Sequence, residues 1–115
     1  MEFKFDNYSL FIGMRGQTRI GTKGQFRYYK WKVFMDEPPE KLAQVDSVEY
    51  RLHATFRDPI RTVEDRNSRF ALQSQGWGEF NIYITIYLND GTEKHTKYHL
   101  DLNKSQGDLT LTKSS

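Results

Sequence analysis

The 115-residue sequence contains no cysteine, and this absence removes several classes of site. Disulfide bonds, zinc sites built on thiolates and catalysis by a thiol nucleophile are all excluded. The lack of cysteine also fits a reducing compartment. The sequence has neither a basic-then-apolar leader nor a run that approaches the roughly 20 apolar residues of a membrane span, so we expect no membrane partner.

Catalytic motifs are equally scarce. The sequence has no glycine-rich phosphate loop that opens a helix, no G-x-S-x-G elbow and no cluster of metal ligands, and three histidines leave little choice of general base. His95 and His99 are four residues apart, which on a strand separates them by about 13 Å, too far to share a metal ion. We therefore expect no enzymatic activity, no metal and no cofactor.

An excess of charge of one sign is missing overall, although the charges are unevenly placed. The formal net charge is +2, too small to indicate a nucleic-acid partner by itself. Residues 1–32 carry seven Lys or Arg against Glu2 and Asp6. Within them, a glycine-containing stretch at about 11–25 shows no hydrophobic period, which predicts a mobile basic loop. We expect that loop to be solvated and not to bind nucleic acid.

Alternation of apolar and polar residues recurs along the chain and predicts strands. The clearest runs are Phe80 to Leu88, which ends at the hairpin signal Asn89-Asp90-Gly91, and Phe26 to Asp36, in which Trp31 is the expected core anchor. Further strands are predicted at Met1–Leu10, Val48–Phe56, Ile60–Val63, Phe70–Ser74, Thr92–Leu102 and Asp108–Thr112, and one helical turn at Pro38–Val45. Seven or eight short strands without crossover helices predict an all-β antiparallel sandwich.

The best of these strands is preceded by a segment that reads QGWGEF, from Gln75 to Phe80. Two glycines bracket Trp77. Because glycine adopts positive φ at little steric cost, we predict a sharp loop here that exposes at least one aromatic ring.

Two segments together resemble the YEATS domain family. LHATF ends at Phe56 and GWGEF begins at Gly76, twenty residues later, with Pro59 and Arg61 between them. The similarity runs from about residue 28 to residue 102 and is specific because both segments occur at this spacing. Residues 65–70 read DRNSRF where eukaryotic members usually carry a Pro-Pro-aromatic piece, which is more similar to the prokaryotic members.

The resemblance implies a single YEATS-like domain over residues 1–115 with an immunoglobulin-like antiparallel β-sandwich of about seven to eight strands. It also implies a non-catalytic reader of lysine acylated on its ε-amine, acetyl or crotonyl, in a protein or peptide tail. The acyl amide would lie between aromatic rings in a channel at one end of the sandwich. By this resemblance the channel residues are His53, Thr55, Phe56, Gly76, Trp77, Gly78 and Phe80.

Some assignments stay open at this point. An alternative function is a protein–protein assembly or sensing module of a prokaryotic signalling protein with a non-histone ligand. The two functions differ in whether Phe56 and Trp77 flank an open channel or pack against each other. A prokaryotic member would be cytoplasmic and a eukaryotic one nuclear, and the oligomeric state is not determined. Arg61 and Glu79 are interpreted as a surface or partly buried ion pair.

Overall fold

The computed structural model of the chain describes residues 2–16 and 25–104, and these form two packed sheets. One short helix, α1 (Pro39–Leu42), and a 3₁₀ turn at Arg66–Ser68 lie between strands. The strands are β1 (Phe5–Gly16), β2 (Gln25–Met35), β3 (Val45–Arg51), β4 (Ile60–Val63), β5 (Leu72–Gly76), β6 (Asn81–Leu88) and β7 (Glu93–His99). Among these residues, no helix has the length and apolar character needed to cross a membrane.

The sheets have the orders β1-β2-β5 and β4-β3-β6-β7, and every pairing between neighbours is antiparallel. Alternate residues of β2, β3 and β6 point between the sheets, where β-branched and aromatic side chains pack well. The buried set includes Trp31, Val33, Met35, Val48, Tyr50, Ile82, Ile84 and Ile86. The predicted antiparallel sandwich and the core position of Trp31 are therefore confirmed.

The predicted loop at about 11–25 is wrong for residues 11–16, because β1 continues through them and pairs with β2 as far as Gly16 and Gln25. The register shifts between Phe11 and Gly13, and Gly13 has a φ of +126°. A bulge of this kind adds one residue to a strand and interrupts the alternation, which is why the period failed in the sequence. Residues 17–24, and the strand predicted at Asp108–Thr112, lie outside the described residues.

A buried tyrosine holds an unusual backbone segment in place. The Tyr50 hydroxyl donates to the Phe70 carbonyl at 2.5 Å, and burial raises the pKa of that hydroxyl. Phe70 and its neighbour Arg69 have φ values of +56° and +62°, a region that side chains other than glycine seldom adopt. The hydrogen bond, together with complete burial of the Phe70 ring, offsets the cost of this conformation.

A second buried group ties the segment after β7 to β1. Asn7 is fully buried, and its amide donates to the Asp101 carbonyl at 2.9 Å and to the Ser9 hydroxyl at 3.1 Å. Its side-chain carbonyl accepts from the Tyr98 hydroxyl at 2.5 Å. This network places Leu100 and the residues after it against the sandwich.

Candidate functional site

The LHATF segment leaves the sheet earlier than the alternation predicted. The strand predicted at Val48–Phe56 ends at Arg51, so the prediction is wrong for residues 52–56. The Phe56 amide donates to the His53 carbonyl at 2.9 Å, which forms a turn, and the Leu52 amide donates to the Pro59 carbonyl at 2.7 Å. The pairing partners of β3 stop at Arg51, so the alternating residues beyond it have no neighbouring strand to bind.

Arg61 holds the backbone of this loop. Its guanidinium donates to the Asp58 carbonyl at 2.7 Å and to the Arg57 carbonyl at 2.9 Å. Asp58 has a φ of +52°, so the two hydrogen bonds stabilise a backbone conformation that residues other than glycine seldom adopt. The loop that carries His53, Thr55 and Phe56 is thus fixed at both ends.

The predicted ion pair between Arg61 and Glu79 is wrong. The Glu79 carboxylate accepts from the Leu102 amide at 2.9 Å, and its other oxygen lies 3.6 Å from His99 Nε2. Glu79 therefore ties the GWGEF segment to the chain after β7, while Arg61 stabilises the backbone at residues 57–58. Arg61 binds two backbone carbonyls, and Glu79 contacts the Leu102 amide and His99 after β7. Motif spacing does not reveal partners of these kinds.

The glycines of the GWGEF segment do not adopt the positive φ that was predicted. Gly76 is the last residue of β5 and pairs with Tyr29, which keeps it extended, and Gly78 is also outside the left-handed region. A Cβ placed on Gly76 would meet the Phe56 ring at 3.7 Å, an ordinary contact, and one on Gly78 would meet no atom within 4 Å. The lack of a side chain on Gly76 therefore leaves room beside the Phe56 ring.

One cavity of about 680 Å³ brings the predicted site residues together. This volume is within the range of sites that bind small ligands. All seven predicted residues line it: His53, Thr55, Phe56, Gly76, Trp77, Gly78 and Phe80. Their role in binding stays a prediction. Tyr28, Arg57, Gln75 and Glu79 line the same cavity and were not predicted.

Aromatic rings form the apolar part of the cavity. Phe56 and Phe80 pack with ring centroids 5.1 Å apart, and both contact the buried Trp31 at 6.2 and 6.1 Å. Trp77 keeps 54% of its surface exposed. Phe56 and Phe80 are thus anchored on the core, and Trp77 presents a large ring at the same opening.

His53 and Thr55 supply the polar part. The Thr55 hydroxyl lies 2.9 Å from His53 Nδ1, and the Thr55 amide donates to the same nitrogen at 3.2 Å. A backbone N–H can only donate, so Nδ1 is an acceptor and the neutral ring carries its proton on Nε2. The Thr55 hydroxyl then donates to His53, and its oxygen is left to accept from a ligand.

A second cavity, of about 710 Å³, lies near the segment after β7 and has a different character. Two of its charged groups, Lys104 and Asp6, form an ion pair. Burial, with nearby Asp6 and Asp101, raises the pKa of Tyr98, so its hydroxyl stays protonated and donates to Asn7. The first cavity, with its three rings, is the better candidate for an apolar ligand.

Strand pairing brings two of the residues that the sequence missed, Tyr28 and Gln75, into the site. Lys30 of β2 pairs with Gln75 of β5, and Tyr28, two residues before Lys30, lies on the same face of the strand. Arg57 stands directly after Phe56 in the turn. The only sequence signal for Arg57 was its position next to a motif residue. No sequence feature indicated which strand would lie beside β5.

A family model of the prokaryotic YEATS domain matches residues 29–101. The chain therefore belongs to the YEATS domain family, as the resemblance in its sequence predicted.

Parts of this chain are similar in sequence to named relatives. It is 46% identical over 55 residues to transcription initiation factor TFIID subunit 14 of Schizosaccharomyces pombe, covering 48% of this chain and 22% of the relative. It is 33% identical over 87 residues to the protein AF-9 homolog of Candida glabrata, covering 73% of this chain and 38% of the relative. The matches thus span well under half the length of these two relatives.

Solved structures share the fold. The Yaf9 YEATS domain recognising an H3K122suc peptide has a TM-score of 0.66 at 20% identity, over 92% of this chain and 80% of the other. The Yaf9 YEATS domain bound to H3K27ac has a TM-score of 0.62 at 20% identity, over 90% and 77%. The immunoglobulin-like sandwich of the YEATS family is therefore confirmed for this chain.

Proposed function

We propose that the chain is a non-catalytic module that binds lysine acylated on its ε-amine, presented by a protein or peptide, in the cavity between Phe56, Trp77 and Phe80. The observation that carries the proposal is a cavity with anchored aromatic rings and one hydroxyl, on Thr55, oriented to accept a hydrogen bond. The Yaf9 domains with H3K27ac and H3K122suc peptides share the fold, which supports this ligand class.

Each part of the ligand has a partner of suitable chemistry. Acylation makes the lysine a neutral planar amide with an apolar tail, which the rings of Phe56 and Phe80 can cover. Aromatic contacts of this kind contribute about 0.5–1.5 kcal/mol beyond the buried area. The amide N–H would donate to the Thr55 oxygen, and its carbonyl would accept from a backbone N–H in the Gly76–Gly78 segment.

Unmodified lysine fits the same cavity poorly. Its ammonium would lose water on entry, which is costly for a charge without a paired anion. Arg57 lines the cavity and repels a cation there, and the two oxygens of the Glu79 carboxylate face the Leu102 amide and His99. The arrangement therefore favours the neutral, acylated form. The titration described below tests which acyl group, acetyl or crotonyl, is preferred.

The assembly or sensing module is the second candidate. It would be favoured if Phe56 and Trp77 closed against each other. Instead, both residues line the same open cavity, while Phe56 packs on Trp31 and Phe80, and this supports the reader. Because the family match is to the prokaryotic branch, we propose a non-histone protein as the carrier of the acyl-lysine and a cytoplasmic setting.

Calorimetric titration with one lysine peptide in unmodified, acetylated and crotonylated forms tests the proposal. We expect binding of the acylated forms only. Trp77→Ala should weaken it by about tenfold, since a stacking ring and its apolar area are lost. Tyr83→Ala is the matched control, because Tyr83 is also 54% exposed but does not line the cavity. Equal binding of unmodified and acylated peptides, or equal losses in both variants, would count against a reader.

A further inference from the structure

Strand β5 is the last strand of its sheet and pairs along one side only, with β2. Within the described part of the chain, Ser74, Gln75 and Gly76 make no hydrogen bond outside their pairing with β2. The other side of a strand in this position presents backbone N–H and C=O groups, which are a template for the backbone of another chain. We refer to this side of residues 74–76 as the open edge.

The other edge strands carry features that keep a sheet edge from pairing. At β1, the Ser9 amide donates to the Lys104 carbonyl at 2.7 Å, so the segment after β7 covers that edge there. Strand β4 has four residues, directly follows Pro59 and contains Arg61. The charged residues of β7 include Glu93, Lys94 and Lys97. Strand β5 reads LQSQG, with neither a charge nor a proline, so the sequence leaves its edge able to pair.

The open edge leads directly into the candidate cavity. Gln75 and Gly76 belong to β5 and also line the cavity. A Cβ built on Gly76 would lie 3.7 Å from the Phe56 ring, so this face of the strand meets the aromatic part of the cavity. A glycine in a strand often marks a place where another backbone approaches closely. An extended segment that paired with the open edge would therefore pass the opening of the cavity.

The alternation of side chains sets the register of an added strand. Neighbouring strands lie about 4.8 Å apart, and residues opposite each other point to the same face. The residue opposite Gly76 would therefore direct its side chain towards the Phe56 ring. The residue opposite Gln75 would point to the other face, where the Gln75 side chain is exposed. An acylated lysine opposite Gly76 would thus enter the cavity while its neighbour stayed in solvent.

We propose that the segment carrying the acyl-lysine binds as an added strand along the open edge, with the lysine opposite Gly76. The inference rests on the proposed function and defines how the partner is held. Because backbone groups form this contact, the module reads acyl-lysine in an extended or unstructured segment and tolerates varied side chains beside it. A lysine in the middle of a helix would not bind, since its backbone N–H and C=O groups are already paired.

Titration with backbone-methylated peptides tests this inference. The peptides share one serine-rich sequence around acetyl-lysine, and each carries one N-methyl group, on the lysine or on one of the two residues to either side. Since β5 ends at Gly76, pairing covers the lysine and the residues on one side of it. On that side, N–H groups of alternate residues face the partner strand. Methylation there should weaken binding by about fivefold or more at alternate positions, and elsewhere by less than about twofold.

Amide hydrogen exchange of the domain provides a second measurement. On binding of the unmethylated peptide, the fast-exchanging amides among residues 74–76 should slow, whereas those of residues 93–97 on the β7 edge should not change. Equal affinity across the methylated series, or losses that do not alternate, would overturn this inference and leave the reader standing. Failure of the unmethylated acetyl-lysine peptide to bind would overturn both. Slow exchange at residues 74–76 in a dimer of the peptide-free domain would instead assign the open edge to a second copy.

Discussion

Replacing Thr55 with valine isolates the hydrogen bond on which recognition of the amide depends. Valine keeps the shape of threonine but has no hydroxyl. Thr55 is exposed, and the contact of its hydroxyl in the structure is with the exposed His53, so the free energy of unfolding should change by less than about 0.5 kcal/mol. The folded domain should therefore be retained in the variant.

The effect on binding should be much larger than the effect on stability. In the complex, Thr55→Val leaves the ligand N–H enclosed without an acceptor, which costs about 1–3 kcal/mol. At about 1.4 kcal/mol per tenfold change, this weakens binding by roughly fivefold to a hundredfold or more. Calorimetric titration with the acetylated peptide measures the loss, and thermal unfolding of each variant checks that the fold is kept.

Thr55→Ser is the control for this experiment, since it keeps the oxygen and the donation to His53 while removing one methyl group. We expect its affinity to stay within about threefold of the original chain. Wild-type affinity in Thr55→Val would refute the reasoning, because the amide would then be recognised without the hydroxyl. A Thr55→Ser variant as weak as Thr55→Val would refute it as well.

Three further predictions concern the scaffold of the site. Tyr50→Phe leaves the Phe70 carbonyl buried without its donor and should lower the unfolding free energy by about 1–3 kcal/mol in urea titrations; an unchanged midpoint would contradict this. Burial raises the pKa of Tyr50 and Tyr98, so stability should fall as pH rises above about 10, where only the unfolded chain loses these protons; a flat profile from about pH 9 to 11 would count against it. Arg61→Gln frees the carbonyls of residues 57 and 58 and should weaken acyl-peptide binding about threefold to tenfold in calorimetry, unlike Lys97→Gln.

Most of the fold was predictable because alternation is a local signal. The run at Phe80–Leu88 became β6 with Ile82, Ile84 and Ile86 buried, and Asn89-Asp90-Gly91 became the hairpin to β7, with Gly91 at a φ of +89°. The predictions failed where the secondary structure of a segment depended on pairing with a neighbouring strand. Residues 11–16 form a strand because β2 lies beside them, and residues 52–56 form a turn because no strand does.

The residues of the candidate site were predicted from two motifs, but their supporting contacts were not. The structure brings His53, Thr55 and Trp77 to one cavity, and their role in binding stays a prediction. Arg61 and Glu79 bind backbone groups at residues 57, 58 and 102, which a side-chain pattern does not encode. The buried Asn7 was also missed, because two of its partners, Tyr98 and Asp101, lie more than 90 residues away in the sequence.

The central claim is that an acyl group enters the cavity between Phe56, Trp77 and Phe80. Nuclear Overhauser measurements on the domain with a peptide carrying a ¹³C-labelled acetyl group test it most directly. We predict contacts from the acetyl methyl to the rings of Phe56 and Phe80 and to the Trp77 indole. Binding accompanied by contacts to Tyr98 or Phe5 at the second cavity, with none to these three rings, would contradict the account.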